Sequence, residues 1–231
     1  MESVMKNRER LTVKDPLPSA WRMFFLFFFV LFSGTVRLLS QCPNTGQTKV
    51  IKPDTGTGYS FYKFLGDGSF SYFLDGKTFS FNGKDDPGRT IIFIDNIAYE
   101  SILVERVELK KYVKSSKDLE VLRAQAKHHQ DYFKRVDPTM VITDFGPSEG
   151  ETPEDRLFYL WKKESPPGKK AATQYLLSTQ IKDGVVVLSI MPMEASISEE
   201  DVFVQIRKCT SYFNTLSSDR CAKVLALPSA P

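Results

Sequence analysis

Apolar residues run without a charge through residues 23–36, where Phe24, Phe25, Phe27, Phe28, Phe29 and Phe32 lie between Arg22 and Arg37. A bilayer span needs about 20 apolar residues, whereas about 10–14 suit the core of a signal peptide. The preceding segment sets Lys6, Arg8, Arg10, Lys14 and Arg22 against Glu2, Glu9 and Asp15. A basic approach to an apolar run predicts a cytoplasmic n-region with the C-terminal bulk outside. The n-region is long for a signal peptide, which points to a start at Met5 or Met23 or to an uncleaved anchor. Residues 1–40 are therefore read as a targeting segment, either a cleaved signal peptide or a signal anchor.

The pattern changes after residue 40. Residues 41–58 are polar and rich in Gly, Pro and Thr, and predict a flexible linker. Aromatic residues then crowd together at Tyr59, Phe61, Tyr62, Phe64, Phe70, Tyr72, Phe73, Phe79 and Phe81. Gly66-Asp67-Gly68 and Asp75-Gly76 cut this stretch at turn-forming positions, so short hairpin strands are expected. Residues 90–95 are apolar on both faces and predict a central strand, and 98–109 a second extended segment. A helix follows over about 117–136, capped by Ser115 or Ser116. Its inward stripe would be Leu119, Leu122, Ala126, His129, Phe133 and Val136.

Four strands are predicted next, at 140–145, 157–163, 172–181 and 185–191, with Lys182-Asp183-Gly184 turning the last pair. The third carries a polar face of Gln174, Ser178 and Gln180. Ser198 caps a final helix over about 199–216, whose acidic start suits the helix dipole. Its inward residues would be Val202, Ile206, Cys209, Phe213 and Leu216. Residues 222–231 read as a loose tail. The expected class is α+β: one domain over 59–221 with an antiparallel β-sheet and two packed helices, preceded by an N-terminal apolar helix and short β-hairpins.

Over about residues 90–216 this order and these lengths (strands, helix, four antiparallel strands, helix) resemble the Mog1/PsbP-like domain. The helix-then-four-strands portion is also similar to a cystatin-like arrangement. The first resemblance implies an antiparallel sheet with helices on its faces, and accessory or scaffolding proteins more often than enzymes. It rests on element order, so it transfers no functional residue.

Charge narrows the partners. Residues 1–40 hold six of the 31 Lys/Arg and three of the 28 Asp/Glu, which leaves 25 of each downstream. The basic excess therefore belongs to the targeting segment, and no nucleic-acid partner is expected. Local basic clusters at Lys110, Lys111, Lys114 and Lys117, and at Lys169–Lys170, read as solvated faces. An oxidising compartment admits a disulfide, and Cys209 and Cys221 are the candidate pair, the chain folding back through residues 217–220. Cys42 would then be left over. It follows Leu39-Ser40-Gln41 in a poor likeness of a bacterial lipobox, which makes it a lipidation candidate.

No catalytic motif emerges. His128 and His129 are the only histidines, and adjacent helical positions point about 100° apart, a poor arrangement for one metal ion. There is no G-x-S-x-G, phosphate loop, dinucleotide fingerprint or C-x-x-C. The carboxylate pairs Asp85–Asp86, Glu154–Asp155 and Glu199–Glu200 fit loops or a helix start. The expectation is a non-catalytic interaction or accessory protein, exported or membrane-tethered through residues 23–36, meeting protein partners at or outside the membrane and using no cofactor or metal. The alternative is a lipid or sugar carrier whose pocket is lined by Tyr59, Phe61, Tyr62, Phe64, Phe70, Tyr72 and Phe73. Against it stands the simpler reading of these aromatics as core.

Overall fold

The computed structural model describes residues 42–54, 56–86, 89–149, 156–166 and 173–230. Residues 1–40, on which the expected targeting segment and apolar helix fall, lie outside them. Residues 41–231 form one compact unit. Among the described residues no helix is long and apolar enough to cross a membrane.

Two antiparallel sheets make up the domain. The smaller has strand order β1 (Asn44–Ile51), β2 (Tyr59–Leu65), β3 (Phe70–Leu74) and β11 (Asn214–Thr215). The larger runs β4 (Phe79–Asp86), β5 (Arg89–Ile94), β6 (Ile97–Glu105), β10 (Gly184–Pro192), β9 (Gln174–Ile181), β8 (Leu157–Glu164) and β7 (Val141–Glu149). Helix α1 (Arg106–Leu109) follows β6 directly, and α2 (Asp118–Val136) packs on β8 and β9. Helix α3 (Glu199–Ser211) packs beside β3, and α4 (Ser218–Ala226) ends the fold.

Strand alternation explains how the layers separate. In β10, Val186, Leu188 and Ile190 point one way and Val185, Val187 and Ser189 the other, and all are buried. The first set joins Phe61, Phe70 and Tyr72 of the small sheet and Val202, Ile206 and Cys209 of α3 in the main core. Val185 and Val187 of the second set meet Val121, Leu122 and Ala126 of α2, together with Trp161 and Leu176. A third cluster of Cys42, Phe64, Leu216, Cys221 and Val224 seats α4 on the outer face of the small sheet.

Local chemistry fixes the joints. Ser198 caps α3 in a reciprocal capping box: its hydroxyl accepts from Asp201 N at 3.1 Å, and Ser198 N donates to the Asp201 carboxylate, also at 3.1 Å. Asp95 and Asn96 take positive φ of 44° and 66°, which makes the two-residue turn between β5 and β6 match strand twist. The Asp95 carboxylate accepts from Lys77 N at 2.9 Å and Thr78 N at 2.8 Å, tying that turn to the start of β4.

Several expectations need correction. Residues 44–51 are not a spacer: they form β1, paired to β2 from Ile51↔Ser60 to Asn44↔Leu65. The tail is not loose either. Residues 218–226 are α4, capped by Ser217, and Ala230 N donates to Val50 O at 2.8 Å. The last long helix stops at Ser211, after which Phe213 and Leu216 are still buried but on the β11 crossing. Helix α2 begins without a side-chain cap at Lys117, because the Ser115 hydroxyl accepts from Lys117 N instead of capping the helix. Its buried stripe is Val121, Leu122, Gln125 and Ala126, and Val136 is 66% exposed.

Candidate functional site

The expected Cys209–Cys221 bridge does not form. Cys221 is bonded to Cys42, with the Cα atoms 5.4 Å apart, and Cys209 is a free, buried thiol. The cause is the short strand β11. After α3 the chain pairs with β3 at Asn214↔Ser71 and Thr215↔Phe70, and Leu216 N donates to Ser69 O at 2.9 Å. That crossing carries the chain from one face of the small sheet to the other. Cys209 stays in the main core with Phe61 and Phe70, while Cys221 faces the outer cluster with Phe64. Lipidation of Cys42 is excluded by the same bond, since its sulfur is already joined to Cys221 and the residue is buried. Burial pushes the Cys209 thiol up to about 12, far from a thiolate nucleophile.

The aromatic stretch is core. Tyr59, Phe61, Phe70 and Tyr72 fill the main core, Phe61 stacking on Tyr72 with centroids 5.3 Å apart. Phe64 belongs to the outer cluster, with Tyr62 packed against it. Phe73 is half-buried against Tyr212, their ring centroids 5.3 Å apart. These residues spend their surface on one another and on the two sheets.

Two features remain beneath and beside α2. The first is a polar seam on the α2-facing side of the large sheet. Gln125 and Ser178 are fully buried, and the Ser178 hydroxyl donates to Gln125 Oε1 at 3.0 Å. Gln125 Nε2 lies 3.0 Å from His129 Nδ1. Gln174 Nε2 donates to the buried Ser189 hydroxyl, and Glu100 is buried nearby on β6. Burial holds the His129 imidazole below its ordinary value, and the charges of His128 and Lys163 act in the same direction. Lys163 is also lowered by burial, opposed by Glu100, and its ammonium sits 3.5 Å from the Phe133 ring centroid. The polar face expected on the third of the four strands is thus real in its residues, but it lies under a helix. His128 stacks on Tyr112 at 4.0 Å and makes no site with His129. Among the described residues no three His, Cys, Asp or Glu side chains converge on a metal position.

The second feature is concave. A cleft of about 280 Å³ opens where α1 and the following loop meet the start of α2 and the β9–β10 turn. Leu109, Val113 and Val121 form its apolar wall, and Arg106, Lys110, Ser115, Ser116 and Gln180 supply polar groups. Arg106 N donates to Asp183 O at 2.8 Å, which seats α1 on the hairpin turn. Lys110 N donates to Arg106 O at 3.1 Å, so the two cations stand one helical turn apart. Of this set the sequence pattern marked Lys110 in a basic cluster, Ser115 and Ser116 as helix caps and Gln180 on a polar strand face, none of them as part of a cleft. The i, i+4 spacing of Arg106 and Lys110 was the available signal, hidden because α1 continues a strand without a break. Lys111, its neighbour in that cluster, is ion-paired to Glu108 at 2.5 Å. Glu199, from the acidic helix start, bonds Lys162 at 3.0 Å and accepts from the Tyr175 hydroxyl at 3.1 Å.

No protein-family description matches the chain, and no curated protein matches it. Among solved structures it is similar to the solution structure of cyanobacterial PsbP (CyanoP) from Synechocystis sp. PCC 6803. Identity is 12%, the match covers 72% of this chain and 98% of that one, and the TM-score is 0.46.

Proposed function

We propose that the protein is an extracytoplasmic accessory module, exported or held at the membrane by residues 23–36, that works through binding rather than catalysis. The observation that carries this reading is the Cys42–Cys221 disulfide. Disulfides persist in oxidising compartments and are rare in reducing ones, so the bond agrees with the export signal read from an unrelated part of the chain. The binding role is supported by where the polar and thiol chemistry sits. Cys209 is sealed in the main core, and the Gln125–Ser178 pair is sealed under α2, leaving solvent mainly solvated charges and scattered apolar side chains.

Fractionation combined with thiol counting tests the reading. Cells are lysed under denaturing conditions in the presence of a mass-tagged maleimide, without reductant, and the chain is followed by gel shift. An extracytoplasmic protein takes one tag, on Cys209, and takes three only after reduction. Three tags before reduction, with the protein in the cytoplasmic fraction, would overturn the proposal.

A further inference from the structure

We propose that the cleft between α1 and α2 binds a small organic anion, a carboxylate or phosphate monoester carrying a short hydrocarbon remainder. The inference goes beyond the accessory reading and stands or falls separately from it. Arg106 and Lys110 are both exposed, project from adjacent turns into one cleft, and have no ion pair or side-chain hydrogen bond among the described residues. Like charges at this spacing repel, so an anion between them relieves an unfavourable pair as well as making new contacts. The nearest acid on their own helix, Glu108, is held by Lys111.

Hydroxyl and amide groups complete the polar half. The Ser115 oxygen already accepts from Lys117 N, which leaves its O–H to donate, and Ser116 stands beside it on the lining. Gln180 also stands on the lining. Leu109, Val113 and Val121 add an apolar wall that inorganic phosphate alone would leave wet. The mixture of a convergent polar half and an apolar half is that of a small-molecule site, and the volume lies at the lower limit of such sites, about 300 Å³. It is too small for a polymer or a lipid with full acyl chains.

Isothermal titration of the full-length protein in a non-ionic detergent at low salt decides it. The probes are hexanoate and hexyl phosphate, with hexanol and inorganic phosphate as controls for the two halves of the cleft. The expected result is saturable binding of one or both hexyl anions, about tenfold or more tighter than either control. The preferred anion identifies the headgroup class. The double variant Arg106→Gln/Lys110→Gln, at exposed positions, is expected to lose affinity by about tenfold or more with an unchanged melting temperature. Lys117→Gln, outside the lining, should leave it within about twofold. Ser116→Trp, which fills the cleft from an exposed position, should abolish binding independently. The proposal is overturned if neither hexyl anion saturates below ~10 mM, if hexanol binds as well as they do, or if the double variant binds them undiminished.

Discussion

The Ser178 hydroxyl donates to Gln125 Oε1 at 3.0 Å across the α2–sheet interface, where neither residue touches solvent. Gln125 hands the interaction on to His129 Nδ1 at 3.0 Å. A polar chain of this kind helps fix the rotation of a helix whose buried stripe is otherwise apolar and tolerant of sliding.

Ser178→Ala is expected to destabilise the fold by about 1–3 kcal/mol, because it leaves a buried amide oxygen without its donor. The double variant Ser178→Ala/Gln125→Leu should recover a large share of that loss. Urea denaturation of the wild type and both variants makes the comparison. Additive losses in the double variant would mean that the hydrogen bond does not couple the two sites.

His129 gives the fold a pH dependence with a definite sign. Its folded-state value lies below the ordinary 6.5, owing to burial first and then to His128 and Lys163. The neutral ring is therefore favoured on folding. The stability this confers is present above about 6.5 and is lost as pH falls through the lowered folded value. The wild type should lose more stability between pH 8 and pH 5 than His129→Gln does, read from urea midpoints at the two pH values. Equal losses would remove His129 as the cause.

Reduction should act at one end of the molecule first. The Cys42–Cys221 bond closes a loop with a sequence separation of 179, and losing a bridge of that span costs about 3–5 kcal/mol. Helix α4 otherwise rests on a small apolar cluster and on Lys49, whose ammonium donates to Leu225 O at 2.9 Å and also to Leu227 O. With reductant, hydrogen exchange should quicken in residues 218–226 before it does in β10. Simultaneous loss of protection in both would show that α4 is not a separate unit.

Cys209 should be inert until the protein unfolds. It is 1% exposed, with its thiol raised to about 12. Maleimide labelling of the native protein should leave it unmodified, and labelling in urea should follow the unfolding transition. Rapid labelling in native buffer would contradict its placement in the main core.

The parts of the fold legible in the sequence are those whose burial is written in their own periodicity. Residues 157–164, 174–181 and 184–192 alternate or run apolar, and each is a strand within a residue or two of where it was expected. Strand β1 was opaque because its residues are polar or only half-buried, and it acquires order by pairing with β2 and by accepting the tail at Val50. Helix α4 buries only Cys221 and Val224, too few to set a period. The cysteine pairing failed for a related reason. Proximity in sequence favoured Cys209, but two residues of strand at Asn214–Thr215 put a sheet between it and Cys221. The candidate cleft is assembled from four separate segments, and its residues stood out in sequence only singly, in a basic cluster, as helix caps and on a polar strand face.

The bond between Cys42 and Cys221 joins the first described residue to the last helix, so nearly the whole domain is one covalent ring. Tension applied between the two ends of such a ring travels through the sulfur bridge, and both sheets sit on the slack side of it. A domain wired this way can be pulled by its termini without shearing a single strand pair inside the ring. Cutting the bridge would reroute the same force through the outer pairing of β1 with β2.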